Sequence, residues 1–251
     1  MIFFTGLHHP SDAKRFSNAF ISVNAIRNRK SDFQVNDWIM DSGAFTEIST
    51  HGCYRAGVEE YLGQIERWRH VGNMRAAVTQ DWMCEPWIIT KTGLSVAQHQ
   101  RLTVDRYDSI QGRTDCYIMP VLQGYTEYDY LDHLDMYGDR LRNGMWVGVG
   151  SVCKRNRSVA EIEDILDSIK ATSDGLNLHG FGLKTTALQS SMVWDYLYSA
   201  DSMAWSYAAR MNGRNGNDWR EAARFTAAIY SKPKQEALRF ERYVESDTRP
   251  R

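Results

Sequence analysis

The chain has 251 residues, 43% of them hydrophobic, and a formal net charge of -1. That is enough apolar material to bury the core of one barrel-sized domain, and the near-zero charge excludes a uniformly basic nucleic-acid binder, so any footprint on a polyanion has to be a local patch. Cys53, Cys84, Cys116 and Cys153 lie about 30 residues apart with no Cys-x-x-Cys pair, which excludes the usual zinc-ligand spacing and a small disulfide scaffold and points to reduced thiols.

Apolar runs of strand length fall at 2–6, 19–26, 37–42, 75–81, 116–124, 145–151, 176–183 and 198–205. Met1 to Gly6 is too short for the apolar core of a secretion signal, and no later run approaches the length of a membrane span, so no membrane contact and a cytoplasmic location are expected. Helix-like stretches separate the runs. Over 58–70, Val58, Tyr61, Leu62, Ile65 and Trp68 recur at helical spacing, and over 158–170 so do Val159, Ile162, Ile165, Leu166 and Ile169, with a Ser-x-x-Glu capping box at Ser158 and Glu161. The last stretch, about 217–245, mixes Trp219, Phe225 and Tyr230 with arginines and is expected to be helical, a cap on the barrel. Strands alternating with helices predict a parallel sheet with right-handed crossovers, and eight strands predict an α/β protein closed into a (β/α)8 TIM barrel. The expected organisation is one domain over 1–251, with a barrel at about 1–210 and a C-terminal helical extension at about 211–251.

In such a barrel the carboxyl ends of the strands converge on one mouth, where catalytic side chains gather. Three aspartates sit at strand ends: Asp41 on the third run, Asp81 on the fourth and Asp201 on the eighth. Taken alone, an Asp before Ser-Gly is more often a turn residue, and Gly148 and Gly150 serve equally well as turn glycines. His179 on the seventh run reads as a hydrogen-bonded structural histidine, although it faces the same mouth, and most of the tryptophans and tyrosines read as core and rim.

Taken together, the motifs carry a resemblance. Asp41-Ser42-Gly43-Ala44-Phe45 resembles the Asp-Ser-Gly-Gly-Phe signature of the tRNA-guanine transglycosylases. Gln80-Asp81, Val121-Leu122-Gln123-Gly124, Val147-Gly148-Val149-Gly150-Ser151 and Ala200-Asp201-Ser202 follow in that family's order, over roughly 37–206. The Cys-x-Cys-x-x-Cys…His zinc subdomain of the tRNA-modifying members has no counterpart after Cys153, and the chain leaves no room for an added tRNA-binding domain. It therefore looks more like the deoxypurine-in-DNA transglycosylases of the DpdA type, found in phages and bacterial gene islands.

That resemblance implies exchange of guanine in DNA for a 7-deazaguanine such as 7-cyano-7-deazaguanine (preQ0), through a covalent aspartyl-deoxyribose intermediate and with no cofactor and no metal. It implies Asp201 as nucleophile and Asp41 as general acid and base. Asp81 would take the ring N1–H and exocyclic amine, while Ser42, Gln123, Gly124 and the backbone of Gly148, Val149 and Gly150 would complete the base pocket. Phe45 or Tyr125 would stack on a base extruded from the duplex. Lys154, Arg155 and Arg157 after the sixth run, and Arg210 and Arg214 after the eighth, would contact phosphate, Arg220 and Arg224 extend that charge, and Arg27, Arg29 and Lys30 add more after the second run. A phage-encoded copy would work in the host cytoplasm. Two other readings stand beside this one, the same exchange on tRNA and a metal-dependent barrel hydrolase using His8, His9 and Asp201. The sequence leaves open the oligomeric state.

Overall fold

Among the described residues nine strands are found, with helices between all but the fifth and sixth: β1 (Ile2–Gly6), β2 (Asn18–Ser22), β3 (Asp37–Asp41), β4 (Asn73–Val78), β5 (Ile118–Met119), β6 (Val121–Leu122), β7 (Trp146–Val149), β8 (Asn177–Gly180) and β9 (Leu197–Ser202). They come from a computed structural model that describes residues 1–152 and 158–231. All pairings are parallel, in the order β5-β4-β3-β2-β1-β9-β8-β7-β6. The two outermost strands are halves of one sequence run with only Pro120 between them, so the ends of the sheet meet in the chain. The result is the eight-run (β/α)8 barrel expected from the alternation.

The closure at Pro120 has a physical explanation. The run 117–122 accepts from both neighbours: Ala77 and Thr79 donate to the carbonyls of Tyr117 and Met119, while Gly148 and Gly150 donate to those of Pro120 and Leu122. A residue whose carbonyl faces β7 would also offer β7 its N–H, and proline has none. The Tyr117 hydroxyl fills that gap, donating to the Trp146 carbonyl at 2.8 Å and accepting from the Trp146 N–H at 2.9 Å. Tyr117→Phe should leave both Trp146 groups without these partners and cost about 1–3 kcal/mol. A thermal melt unchanged from wild type would show that the closure does not depend on this hydroxyl.

Alternation along the strands sorts the side chains. Phe4, Phe20, Ile39, Val78, Met119 and Val121 fill the barrel, while Phe3, Ile21, Trp38, Met40 and Ala77 face outward to the helices. The helix expected over 58–70 spans Val58–Trp68 and buries Tyr61, Leu62, Ile65 and Trp68. The one expected over 158–170 spans Val159–Thr172, and Ser158 caps it by accepting from the Glu161 N–H at 3.3 Å. Capping boxes at Ser95/Gln98 and Thr126/Asp129 also start the helices Val96–Ile110 and Glu127–Tyr137.

Of the expected C-terminal helical stretch, the helix Trp219–Ser231 falls within the described residues and 232–251 lie outside them. It packs on the outer face of β1, where Tyr230 accepts from the Phe3 N–H at 3.1 Å, Thr226 and Thr5 hydroxyls meet at 2.9 Å, and Phe225 packs on Phe3. Phe3 and Thr5 are outward-facing apolar and hydroxyl positions that need a helix over them, and this one completes the outer layer. Within the described residues no helix is long and apolar enough to cross a membrane.

Candidate active site

The strands β2, β3, β4, β6, β7, β8 and β9 end on one cavity of about 340 Å³ at the carboxyl end of the barrel. Asp41, Asp81, Gln123, Gly150 and Asp201 line it, with Phe45 at its edge. Five of the residues singled out from separate motifs therefore share a single wall. Asp41 occupies the last position of β3 on the face shared with Ile39 inside the barrel, so its carboxyl points at the lumen's mouth. The turn after it returns the Gly43 N–H to Asp41 Oδ2 at 3.1 Å, and the helix Ala44–His51 starts at once.

Asp81 is buried and fully engaged. Ser42 donates to its Oδ1 at 3.1 Å and Gln123 Nε2 to its Oδ2 at 2.5 Å. Tyr54, from the loop before the helix Val58–Trp68, lies behind this pair, with its hydroxyl 2.9 Å from the Asp81 carbonyl and 3.1 Å from Ser42 Oγ. On the other side, Ser151 Oγ meets Gln123 Oε1 at 2.7 Å and Glu85 Oε2 at 3.1 Å and accepts from the Cys84 N–H at 3.0 Å. Ser151 has φ +56, the one positive φ outside glycine among the described residues, and that turn carries its hydroxyl into the network.

Asp41 and Asp81 are displaced from the ordinary aspartate range. Burial, and after it the charge of Asp201, pushes Asp41 up to about 6 against the donors at Gly43, Ser22 and Ser42. Burial and the charge of Asp41 push Asp81 up to about 7 against its bonds from Gln123 and Ser42. Asp81 thus binds more protons folded than unfolded, so its stabilising contribution is full below the ordinary pKa near 4 and is lost as pH rises to about 7. Asp81→Asn should consequently raise stability over wild type at pH 8 by on the order of 1–3 kcal/mol, with the gap closing toward pH 4. Melting curves of the two proteins that stay parallel from pH 5 to pH 8 would contradict this.

Asp201 is held differently. Its Oδ1 lies 3.3 Å from His179 Nε2 and accepts from the Gly182 N–H at 3.0 Å. The His179 ring is buried inside the barrel, stacked on Phe20 at 5.7 Å and 14° and met edge-on by Phe181 at 4.7 Å. A histidine that reads as structural from its sequence is thus also a neighbour of Asp201. Its sequence signal is its mouth-facing place on the seventh run; nothing local pairs it with Asp201, which is 22 residues away.

Other residues read from the motifs shape the cavity or lie away from it. Gly148 and Gly150 spend their N–H groups on Pro120 and Leu122, and Val149 is buried in the outer core. The two glycines matter by what they admit. A Cβ at Gly150 would collide with the Gln123 amide, and one at Gly148 would collide with the Phe181 ring. They let Gln123 and Phe181 reach the site, instead of offering it their own N–H donors. Gly124 packs under Asp129 and Tyr130 at the start of the next helix, and Ser42 stands behind Asp81. Phe45 is half exposed and meets Trp87 edge-on at 6.3 Å; Tyr125 is also exposed. Arg214 pairs with Glu221 at 2.8 Å, and Arg210 is exposed on the helix Ala204–Met211 after Asp201. Lys154, Arg155 and Arg157 lie outside the described residues.

The ligands of a metal hydrolase do not converge. His8 Nε2 is bonded to Ser206 Oγ at 2.8 Å with its ring against Trp205, and His9 is exposed. Among the described residues no three His, Cys, Asp or Glu side chains come together as a metal-holding group.

The sequence profile of DpdA, deoxypurine in DNA protein A, matches residues 2–229, which takes in every strand and the whole cavity. No curated protein matches the chain. With the profile covering the full barrel and its strand-end aspartates, the chain belongs to the DpdA family and is a DNA-modifying protein of the transglycosylase type.

Proposed function

We propose that this cavity exchanges guanine in DNA for a 7-deazaguanine, with Asp201 as nucleophile, Asp41 as general acid and base, and Asp81 as the group that reads the base. The observation that carries the reading is the electrostatic link between the first two. Asp41 is held at about 6 partly by the charge of Asp201. A group at about 6 is protonated in a useful fraction of molecules near neutral pH and can protonate a departing base.

The steps follow from that link. Asp201 attacks C1′ of the deoxyribose, a C1′–O bond forms, and the C1′–N9 electron pair leaves with guanine, which takes the proton of Asp41. Esterification removes the negative charge of Asp201. One of the two causes raising Asp41 disappears and its pKa falls, so the carboxylate that gave its proton to guanine stays ionised and open to the N9–H proton of the incoming 7-deazaguanine. That base attacks C1′ from the vacated side, the C1′–O pair returns to Asp201, and the configuration is retained. Protons and charge balance over the cycle without a redox partner or nucleoside triphosphate.

Asp81 suits a guanine-like edge because its two oxygens already accept from Gln123 and Ser42, two donors that an N1–H and an exocyclic amine can replace. Those donors favour the ionised carboxylate. Phe45 and Trp87 at the edge offer aromatic faces to a base extruded from the helix. Isotopically labelled guanine is the simplest test. Duplex DNA incubated with the protein and labelled guanine should acquire the label in deoxyguanosine, and unlabelled DNA after many enzyme equivalents would overturn the reading.

A further inference from the structure

The hydrogen bonds around Asp201 distinguish its two oxygens. Oδ1 accepts from the Gly182 N–H and lies against His179 Nε2, and no described residue donates to Oδ2. The histidine's other nitrogen, Nδ1, lies 2.8 Å from Ser199 Oγ, and Ser199 Oγ also accepts from the indole N–H of Trp146 at 2.7 Å. An ionised Asp201 can only accept, so its Oδ1 calls for the ring proton of a neutral His179 on Nε2. Nδ1 is then the acceptor for the Ser199 hydroxyl, whose oxygen takes the indole N–H of Trp146 on a lone pair. The chain Trp146, Ser199, His179, Asp201 therefore runs donor to acceptor in one direction, up the inside of the barrel from β7 through β8 and β9 to the mouth.

We propose that His179 is a positioning residue that selects the attacking oxygen: with the Gly182 N–H it holds Oδ1 of Asp201 and leaves Oδ2 to form the bond to C1′. This rests on the reading of Asp201 as nucleophile. The ring itself is fixed by Phe20 stacked beneath it and Phe181 against its edge, so the carboxylate cannot rotate Oδ1 toward the sugar without losing both donors. After attack, Oδ1 is the carbonyl oxygen of the aspartyl ester and keeps both hydrogen bonds. In the second displacement the C1′–O pair returns to the carboxylate, and the same two donors receive the restored charge. His179 keeps its Nε2 proton throughout, so the proton exchanged with the bases passes through Asp41 alone.

The test separates positioning from packing. His179→Leu keeps an apolar side chain in the aromatic setting and removes the donor; His179→Gln offers an amide N–H near the place of Nε2. Exchange kinetics on duplex DNA should show kcat lowered about 10²-fold in His179→Leu, with KM for the incoming base within about twofold of wild type, and most of kcat recovered in His179→Gln. Equal losses in the two variants, with base binding and melting temperature intact, would overturn the proposal, because then the donor is not what matters. Ser199→Ala provides a second arm if His179→Leu fails to fold. It keeps the ring but releases the tautomer, and should lower kcat about tenfold at unchanged KM, whereas wild-type kcat would overturn the chain as drawn. Asp201→Ala run alongside keeps the two readings apart. Residual exchange there would sink the nucleophile assignment itself, while a dead Asp201→Ala beside a fully active His179→Leu would sink only the positioning role.

Discussion

Asp201→Asn is expected to lower guanine exchange about 10⁴-fold or more and to remove any covalent protein–DNA species that survives denaturation. The side chain keeps its shape and can still meet His179 and Gly182, so the loss isolates the nucleophilic oxygen. Binding of the free base should persist, because Asp81 and Gln123 follow β4 and β6, across the cavity from β9. The substitution also removes the charge that helps raise Asp41, so the Asp41 pKa should drop toward the ordinary aspartate range. A denaturing gel with labelled DNA reads the covalent species. A shifted band of wild-type intensity in Asp201→Asn would mean that another side chain attacks.

Asp41→Asn should cost about 10² to 10⁴-fold in exchange while leaving the protein as stable as wild type or more so, since burial raises the carboxyl to about 6 and so opposes its ionised form. Its signature is the pH profile. The free enzyme must carry Asp41 protonated to release guanine, so kcat/KM for DNA should fall as pH rises through about 6 in wild type. In the variant that limb should vanish. The specificity constant for the incoming base reports on the covalent form, where the Asp201 charge is gone, and its limb should lie at lower pH and have the opposite slope. Profiles for DNA and base that turn at the same pH with the same slope would contradict the acid–base switch.

Much of this site is legible in the sequence because the barrel converts order along the chain into place around a ring. Asp41, Asp81, Gln123, Gly150 and Asp201 sit at or just past the ends of five of the parallel strands, and parallel strands put such ends at one mouth. What the sequence hides depends on contacts across the ring. His179 reads as a core histidine until β8 and β9 are registered side by side and Ser199 and Asp201 fall against it. Tyr54 comes from a loop with no motif, and its hydroxyl reaches Ser42 and the Asp81 carbonyl only because the following helix packs there. Gly148 and Gly150 look like backbone that approaches a ligand, yet the absent Cβ atoms make room for Phe181 and Gln123. The C-terminal helix reads as an extension because nothing local ties it to β1, at the other end of the chain, where the outward faces of Phe3 and Thr5 await cover.

The proposed replacement of guanine in DNA through Asp201 is decided by nucleoside mass spectrometry after incubating duplex DNA and tRNA together with the protein and 7-cyano-7-deazaguanine, beside an Asp201→Ala control. The expected result is the deazaguanine deoxynucleoside in the DNA digest, absent with Asp201→Ala and absent from the tRNA. Incorporation into tRNA alone would contradict the polymer, and incorporation into DNA by Asp201→Ala would contradict the nucleophile.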